Sequence, residues 1–230
     1  MSGVSYSGVS LVTGVSGGTG VSGSGLIWVP GGGSPDVGTT WNPSDIGSMG
    51  VTALTNGNLT GINQGVNAPW DMVRATASHS TGKRYYEVLM VNDGIADSGG
   101  GYRIIGIATS QANLNHYLGV DAYGWGWQYT KSPAVKANNA SLPTYGTYVN
   151  EGATPNLVVG ILCDLDAGTL EFFRDNVSQG VAYNTGIAGV TMFPAAGCYS
   201  GGTGSGFGFT AKFARSTWTY GSTDYKQWGE

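Results

Sequence analysis

Apolar and polar residues alternate with a period of two along much of the chain after Trp41. In the stretch NLVVGILCDLD, every second residue from Val159 to Leu165 is Val, Ile, Cys or Leu, the spacing that places side chains on one face of a β-strand. Asp166 to Gly168 supplies turn residues, and TLEFFR follows as a returning strand. The pattern therefore predicts a β-hairpin from Val159 to Arg174.

Similar short apolar runs recur on both sides of this hairpin. VTALTNGNLTGI (Val51 to Ile62) is two runs around Asn56-Gly57, which predicts a second hairpin because both turn residues tolerate a positive φ. RYYEVLMVN, YRIIGIAT, GVTMFPA and GFGFTAKFA are further strand candidates, and no window of a dozen residues shows a sustained helical period. We expect an all-β fold, an antiparallel sandwich of two sheets.

Composition agrees with this fold class and narrows the range of partners. Charged residues make up only 10% of the chain, whereas glycine (41) and tyrosine (13) are abundant, which is typical of β-proteins rich in turns. The net charge of −4 gives no electrostatic reason to expect a nucleic acid partner. No run approaches 18 apolar residues, so we expect no membrane insertion, and no signal peptide is recognisable, so we expect synthesis in a cytoplasm.

The first 40 residues have a composition of their own, with 12 Gly, 8 Ser and a recurring Gly-Val-Ser. Such a segment has too little apolar surface to form a core, so we interpret residues 1–40 as an extended attachment arm, followed by a sandwich over 41–217 and a tail over 218–230. The arm would grip a partner through its scattered large side chains: Val4, Tyr6, Val9, Leu11, Val15, Leu26, Ile27 and Trp28.

Residues that could carry chemistry do not converge in the sequence. Three aspartates, a glutamate and a cysteine lie between Cys163 and Asn176, but a hairpin spreads them over two turns and a strand face, so we expect turn formation and no metal site. GTGVSG fits G-x-G-x-x-G without the flanking strand and helix that dinucleotide binding requires. His79 and His116 lack partners at zinc or triad spacing. We therefore expect no cofactor, no metal and no enzymatic activity.

The two cysteines, Cys163 and Cys198, are far apart in sequence within apolar surroundings. Two buried, reduced thiols are the favoured interpretation. A disulfide or a reactive thiol is the alternative.

AYGWGWQYT is the most suggestive stretch for binding, because its four aromatic residues alternate with small or polar ones and would share one strand face. They either fill the core or form a stacking platform for sugar or peptide, with the intervening glycines allowing close approach. The sequence leaves both possibilities open. The candidate ligand-binding residues are these four and two neighbours that would form a rim: His116, Tyr117, Tyr123, Trp125, Trp127 and Tyr129.

Six segments of the chain resemble the SPRY domain and follow one another in the order expected for that family. The resemblance to its bacterial and phage members spans about residues 40 to 215. They are TTWNPSDIGSMGVTALTNGNLTG, WDMVRATASHSTGKRYYEV, RIIGIATS, VVGILCDLDAGTLEFFRDNVSQGVAY, MFPAAGCYSGG and GFGFTAKFA. The resemblance implies a concanavalin A-like jelly-roll sandwich whose loops bind partners, and it implies no catalysis. The chain has DNVSQG where the family often has Asn-Gly, so we expect a differently shaped turn there.

Together these features favour a structural and binding protein of a virion, such as a phage fibre, spike or decoration component. The arm would dock onto other virion proteins, and the sandwich would display a surface for a host glycan or protein, in a monomer or a homo-oligomer. The alternatives are a carbohydrate-binding, lectin-like module and a cellular SPRY adaptor that recognises a peptide.

Overall fold

The computed structural model describes residues 38–48, 52–63, 69–91, 102–149, 156–199 and 207–230. The arm side chains named above lie outside these ranges.

Two antiparallel sheets contain all the named strands. The strands are β1 (Trp41–Ile46), β2 (Thr52–Thr55), β3 (Thr60–Asn63), β4 (Asp71–Ala75), β5 (Lys83–Val91), β6 (Tyr102–Ala108), β7 (Gly124–Gln128), β8 (Val135–Ala137), β9 (Val158–Asp164), β10 (Thr169–Arg174), β11 (Val177–Tyr183), β12 (Phe193–Tyr199) and β13 (Phe207–Lys212). The six-stranded sheet has the order β1-β4-β12-β6-β7-β8 and the seven-stranded sheet the order β11-β10-β9-β5-β13-β3-β2.

The inner faces of the two sheets enclose one large apolar core. The seven-stranded sheet contributes Tyr86, Ile161 and Phe172, and the six-stranded sheet contributes Ile105 and Trp127, all 0–1% exposed. No α-helix occurs in the ranges described, where Arg215–Thr217 forms a short 3₁₀ helix. The predicted all-β sandwich is confirmed. No helix in those ranges has the length and apolar character needed to cross a membrane.

Both predicted hairpins are present in the seven-stranded sheet. β9 and β10 pair from Asp164 opposite Thr169 to Val159 opposite Arg174, and the alternate residues of β9 point into the core as the pattern predicted. β2 and β3 pair around a turn in which Asn56 has a φ of 51°.

The turn between β10 and β11 corrects one expectation. Arg174 pairs directly with Val177, so Asp175 and Asn176 form a two-residue loop with φ of 44° and 67°. Two positive φ values in such a loop are the geometry that Asn-Gly would also adopt. The expectation that this turn differs in shape from an Asn-Gly turn was therefore wrong. Asp175-Asn176 adopts the same turn type, because Asp and Asn tolerate the left-handed region better than other non-glycine residues.

The last residues pack against the sandwich. The main-chain N–H groups of Thr219, Tyr220 and Gly221 donate to the carboxylate of Glu87, which is fully buried on β5. Trp228 is buried in the main core. Residues 218–230, which the sequence set apart as a tail, therefore contribute to the packing of the sandwich.

Cys163 and Cys198 are buried and form no disulfide. Burial raises the pKa of the Cys163 thiol well above its ordinary value, with a smaller contribution from Asp164. A thiol in this state is a poor nucleophile. The favoured interpretation of two buried, reduced thiols is confirmed.

Candidate functional site

Three of the four alternating aromatic residues belong to the core. Trp125 is 6% exposed, and Trp127 and Tyr129 are fully buried, whereas Tyr123, just before β7, is 41% exposed. Trp127 packs edge-on against Tyr145 and donates its indole N–H to the Tyr145 carbonyl at 3.1 Å. A surface platform does not form at the three buried side chains, because a ligand cannot reach their ring faces.

The two rim candidates, His116 and Tyr117, lie in the loop that joins β6 to β7 (residues 109–123). This loop folds over the outer face of the six-stranded sheet, where Leu118 enters a second apolar cluster with Met72 and Ile104. Met72 N donates to the Leu114 carbonyl at 3.0 Å, which ties the loop to β4. The loop therefore has a fixed place on this face.

Short side chains set the shape of this loop. Asp121 accepts hydrogen bonds from the main-chain N–H groups of Asn113 and Tyr123, at 2.8 and 2.9 Å. Asn115 Oδ1 accepts from Ser48 N at 2.6 Å, which joins the loop to the residues after β1. These bonds hold Tyr117 in position against the sheet.

Tyr117 packs against Trp70, which in turn contacts Tyr102 and Tyr199, and the sequence alone did not single out these three residues. The Tyr117 ring lies 6.0 Å from that of Trp70, edge to face, and the Trp70 ring lies 5.7 Å from Tyr199 and 6.5 Å from Tyr102. Tyr102 and Tyr199 are 6.0 Å apart with an interplanar angle of 21°. All four side chains are half-buried. We call this group (Trp70, Tyr102, Tyr117 and Tyr199) the aromatic patch, and His116 adjoins it, 4.7 Å from the Tyr117 ring.

Strand register explains why the patch forms. Tyr199 pairs with Tyr102 across β12 and β6, and Cys198 pairs with Asp71 across β12 and β4, so Trp70 neighbours Tyr199. Successive side chains of a strand point to opposite faces. Asp71 and Cys198 therefore point inward and are fully buried, while the aromatic residues beside them point outward.

The described outward side chains of the strands that carry the patch are almost all uncharged. At the described outward positions of β4, β6, β7 and β12, Arg74 is the one charged side chain. Its guanidinium is 2.6 Å from Asp45 and also donates to the carbonyls of Thr109 and Ala112. Among the described outward side chains of these strands, the patch thus has no unpaired charge beside it.

The carboxylates around the β9–β10 hairpin form turns, as expected. Asp164 Oδ1 accepts from the N–H groups of Asp166 and Ala167, at 3.2 and 2.8 Å. Asp175 Oδ1 accepts from Val158 N at 3.0 Å. Among the residues that the structure describes, no three His, Cys, Asp or Glu side chains come together as a metal-binding group.

His79 borders an open depression of about 360 Å³ beside the end of the chain. Its Nε2 lies 2.9 Å from the Trp228 carbonyl, to which it donates, and its ring lies 5.7 Å from the Trp228 ring. Burial lowers the pKa of His79. The hydrogen bond to Trp228 raises this pKa, and the positive charges of Arg84 and Lys226 lower it further. These contacts fasten the C-terminal residues and do not assemble a catalytic group.

Comparisons with known proteins agree with this architecture. A family model described as SPRY domain matches residues 83–212, more than half of the chain. The TRIM65 PSpry domain superposes with a TM-score of 0.56 at 14% identity, covering 76% of this chain and 92% of that one. The SPRY domain of human HERC1 gives 0.54 at 15%, covering 74% and 96%. Stonustoxin gives 0.54 at 15%, covering 76% of this chain and 27% of that one. At such identities the likeness to these structures concerns the fold.

Proposed function

Because the chain belongs to the SPRY domain family, we propose that it is a non-catalytic binding module that holds a partner protein on its aromatic patch. SPRY domains mediate protein–protein interactions. The observation that carries the proposal is the convergence of Trp70, Tyr102, Tyr117 and Tyr199 on one uncharged, half-exposed surface.

The chemistry of the patch suits a protein contact. Trp and Tyr are enriched among the few interface residues that carry most of the binding energy, because they bury a large area at a small loss of side-chain freedom. Three of these residues stand on or directly beside paired strands, and Tyr117 is held by a hydrogen-bonded loop. A surface built in this way loses little further entropy when a partner binds.

Substitution within the patch tests the proposal. Full-length protein is used to capture partners from extracts of the cells that produce it, with Trp70→Ala and Tyr199→Ala compared with the unaltered chain. We expect each substitution to weaken retention of the same specific proteins by about tenfold or more, as for a central interface aromatic residue. Quantitative mass spectrometry of the retained proteins provides the measurement.

The matched controls are Tyr148→Ala and Tyr220→Ala, because these tyrosines are each 40% exposed and are not among the four patch residues. They should retain the same proteins as the unaltered chain. Circular dichroism and a thermal melt establish that each variant is folded. Equal retention by all four variants would show that the patch is not the binding surface.

We also propose a setting for this module, namely a virion, in which residues 1–40 attach the protein to other particle proteins and the sandwich faces outward. The composition of the arm supports this, since 20 of its 40 residues are Gly or Ser. Ordering each residue costs roughly 1–2 kcal/mol of backbone entropy, so a segment with few large side chains needs a partner in order to become ordered. A cellular adaptor is the alternative setting.

Particle assembly tests the role of the arm. A chain that starts at Thr40 should melt within a few degrees of the full-length protein, because a segment so rich in Gly and Ser has too little apolar surface to contribute much to a core. It should nevertheless be missing from purified particles, as measured by immunogold labelling with an antibody against the sandwich. Normal incorporation of the shortened chain, or particles that never contain the full-length protein, would contradict this setting.

A further inference from the structure

The chemistry of the patch also indicates which part of a partner it takes. We infer that the aromatic patch binds an uncharged, proline-containing segment in the polyproline II conformation. This inference rests on the proposed function, because it names the ligand of the same surface.

The topology excludes binding of an extended peptide as an additional strand of this sheet at the patch. β4, β12 and β6 carry the patch, and each of them has a hydrogen-bonded strand on both sides, in the order β1-β4-β12-β6-β7. A ligand over this face cannot add a strand to the sheet. It must therefore be held by side chains, which suits a polyproline II segment, since that conformation needs no partner strand.

The ring arrangement provides a suitable surface. The centroids of Trp70, Tyr102 and Tyr199 are 5.7, 6.0 and 6.5 Å apart, with interplanar angles of 33°, 21° and 15°. Three similar distances describe a triangle, so the rings do not form a single stacked column. Tyr117 extends the patch by another 6.0 Å from Trp70. The patch is thus comparable in length with one polyproline II turn, about 9 Å.

The patch carries four hydrogen-bond donors, the indole N–H of Trp70 and the hydroxyls of Tyr102, Tyr117 and Tyr199. Polyproline II carbonyls have no internal hydrogen bonds, so donors at the rim of an aromatic surface match them.

Charge selects against acidic and basic ligands. Arg74, the charged outward side chain on these strands, is engaged by Asp45 at 2.6 Å. A charged ligand side chain buried against the patch would lose hydration, and the described outward side chains of these strands offer it no unpaired counterion. The ligand residues that contact the patch should therefore be uncharged.

Peptide titration tests the inference with the full-length protein. The probe is a ten-residue, uncharged peptide of alternating proline and alanine, and the matched control peptide has serine in place of proline. Tryptophan fluorescence and isothermal titration calorimetry measure binding. We expect the proline peptide to bind about tenfold more tightly than the control, Trp70→Ala and Tyr117→Ala to lose about tenfold in affinity, and Tyr148→Ala to bind normally.

Three outcomes would overturn the inference: equal binding of both peptides, binding of a neutral oligosaccharide in place of the proline peptide, or no saturation by millimolar peptide. If Trp70→Ala unfolds the protein, Tyr117→Ala serves as the second variant, because Tyr117 lies in a loop and not beside a sheet strand. If the peptides fail while patch substitutions still abolish partner capture, the ligand class is wrong and the binding surface stands. If partner capture is also unaffected by those substitutions, the proposed function fails as well.

Discussion

Replacing Trp127 by alanine is expected to lower the free energy of unfolding by about 3–5 kcal/mol, the usual cost of removing a large aromatic side chain from a packed core. Trp127 is fully buried, and its ring lies 5.4 Å from Tyr129 and 5.6 Å from Phe172. The substitution also removes the 3.1 Å hydrogen bond to the Tyr145 carbonyl. The midpoint of chemical denaturation of the full-length chain measures the loss.

Tyr123 provides the matched control, because it belongs to the same alternating series but is 41% exposed. Tyr123→Ala should change the free energy of unfolding by less than about 0.5 kcal/mol, as for most surface substitutions. If Trp127→Ala were as stable as the unaltered protein, Trp127 would not be a core residue, and β7 would have to be considered again as a ligand platform.

The second large effect is expected at Glu87. Its carboxylate is fully buried and accepts from Thr219 N and Tyr220 N, both at 2.6 Å, from Gly221 N at 3.1 Å and from the Tyr85 hydroxyl at 3.2 Å. Glu87→Ala leaves these donors without an acceptor. Each unsatisfied buried donor costs about 1–3 kcal/mol, so we expect a total loss of about 3–5 kcal/mol after local relaxation.

Amide hydrogen exchange distinguishes this effect from a general loosening of the core. In Glu87→Ala, protection from exchange should fall first at the amides of Thr219 to Gly221. The amides of β9 should keep the same ranking of protection as in the unaltered protein. Glu230→Gln is the control, since its carboxylate is 3.7 Å from Arg215 in a partly exposed pair worth under about 1 kcal/mol. Unchanged protection at 219–221 in Glu87→Ala would show that the carboxylate does not hold this segment.

Much of the sheet architecture could be predicted because each signal was local. The β9–β10 hairpin follows from alternation over a few residues and from turn chemistry at Asp166 to Gly168. The Asp175-Asn176 turn shows the limit of such reasoning, since a backbone geometry can be reached by more than one residue pair.

Alternation on β7 identified a shared face but not which face was internal. Glycine has no side chain that could mark the opposite face as apolar. Were Gly126 to carry a Cβ, it would lie 2.8 Å from Ile104 Cγ1, and one on Gly124 would lie 2.7 Å from Leu118 Cδ1. These glycines therefore let the 109–123 loop pack closely on the sheet, a tertiary contact that the local pattern does not contain.

The aromatic patch could be found only in part. His116 and Tyr117 were selected because they stand near the β7 aromatic run, but the other members of the patch come from three distant strand ends: Trp70, Tyr102 and Tyr199. Their proximity depends on β12 lying between β4 and β6. The order of strands in a sheet cannot be predicted from the sequence of any single strand. An aromatic residue at the end of each of these strands was the available signal.

Hydroxyl-radical footprinting of the full-length chain, alone and bound to the partner that it captures, tests most directly whether the aromatic patch is the binding surface. The oxidation rates to compare are those of the patch residues and of two exposed tyrosines outside it, Tyr148 and Tyr220. We predict that partner binding strongly slows oxidation of Trp70, Tyr102, Tyr117 and Tyr199 and leaves Tyr148 and Tyr220 unchanged. Protection at the two outlying tyrosines, with the patch oxidised as fast as in the free protein, would contradict the account.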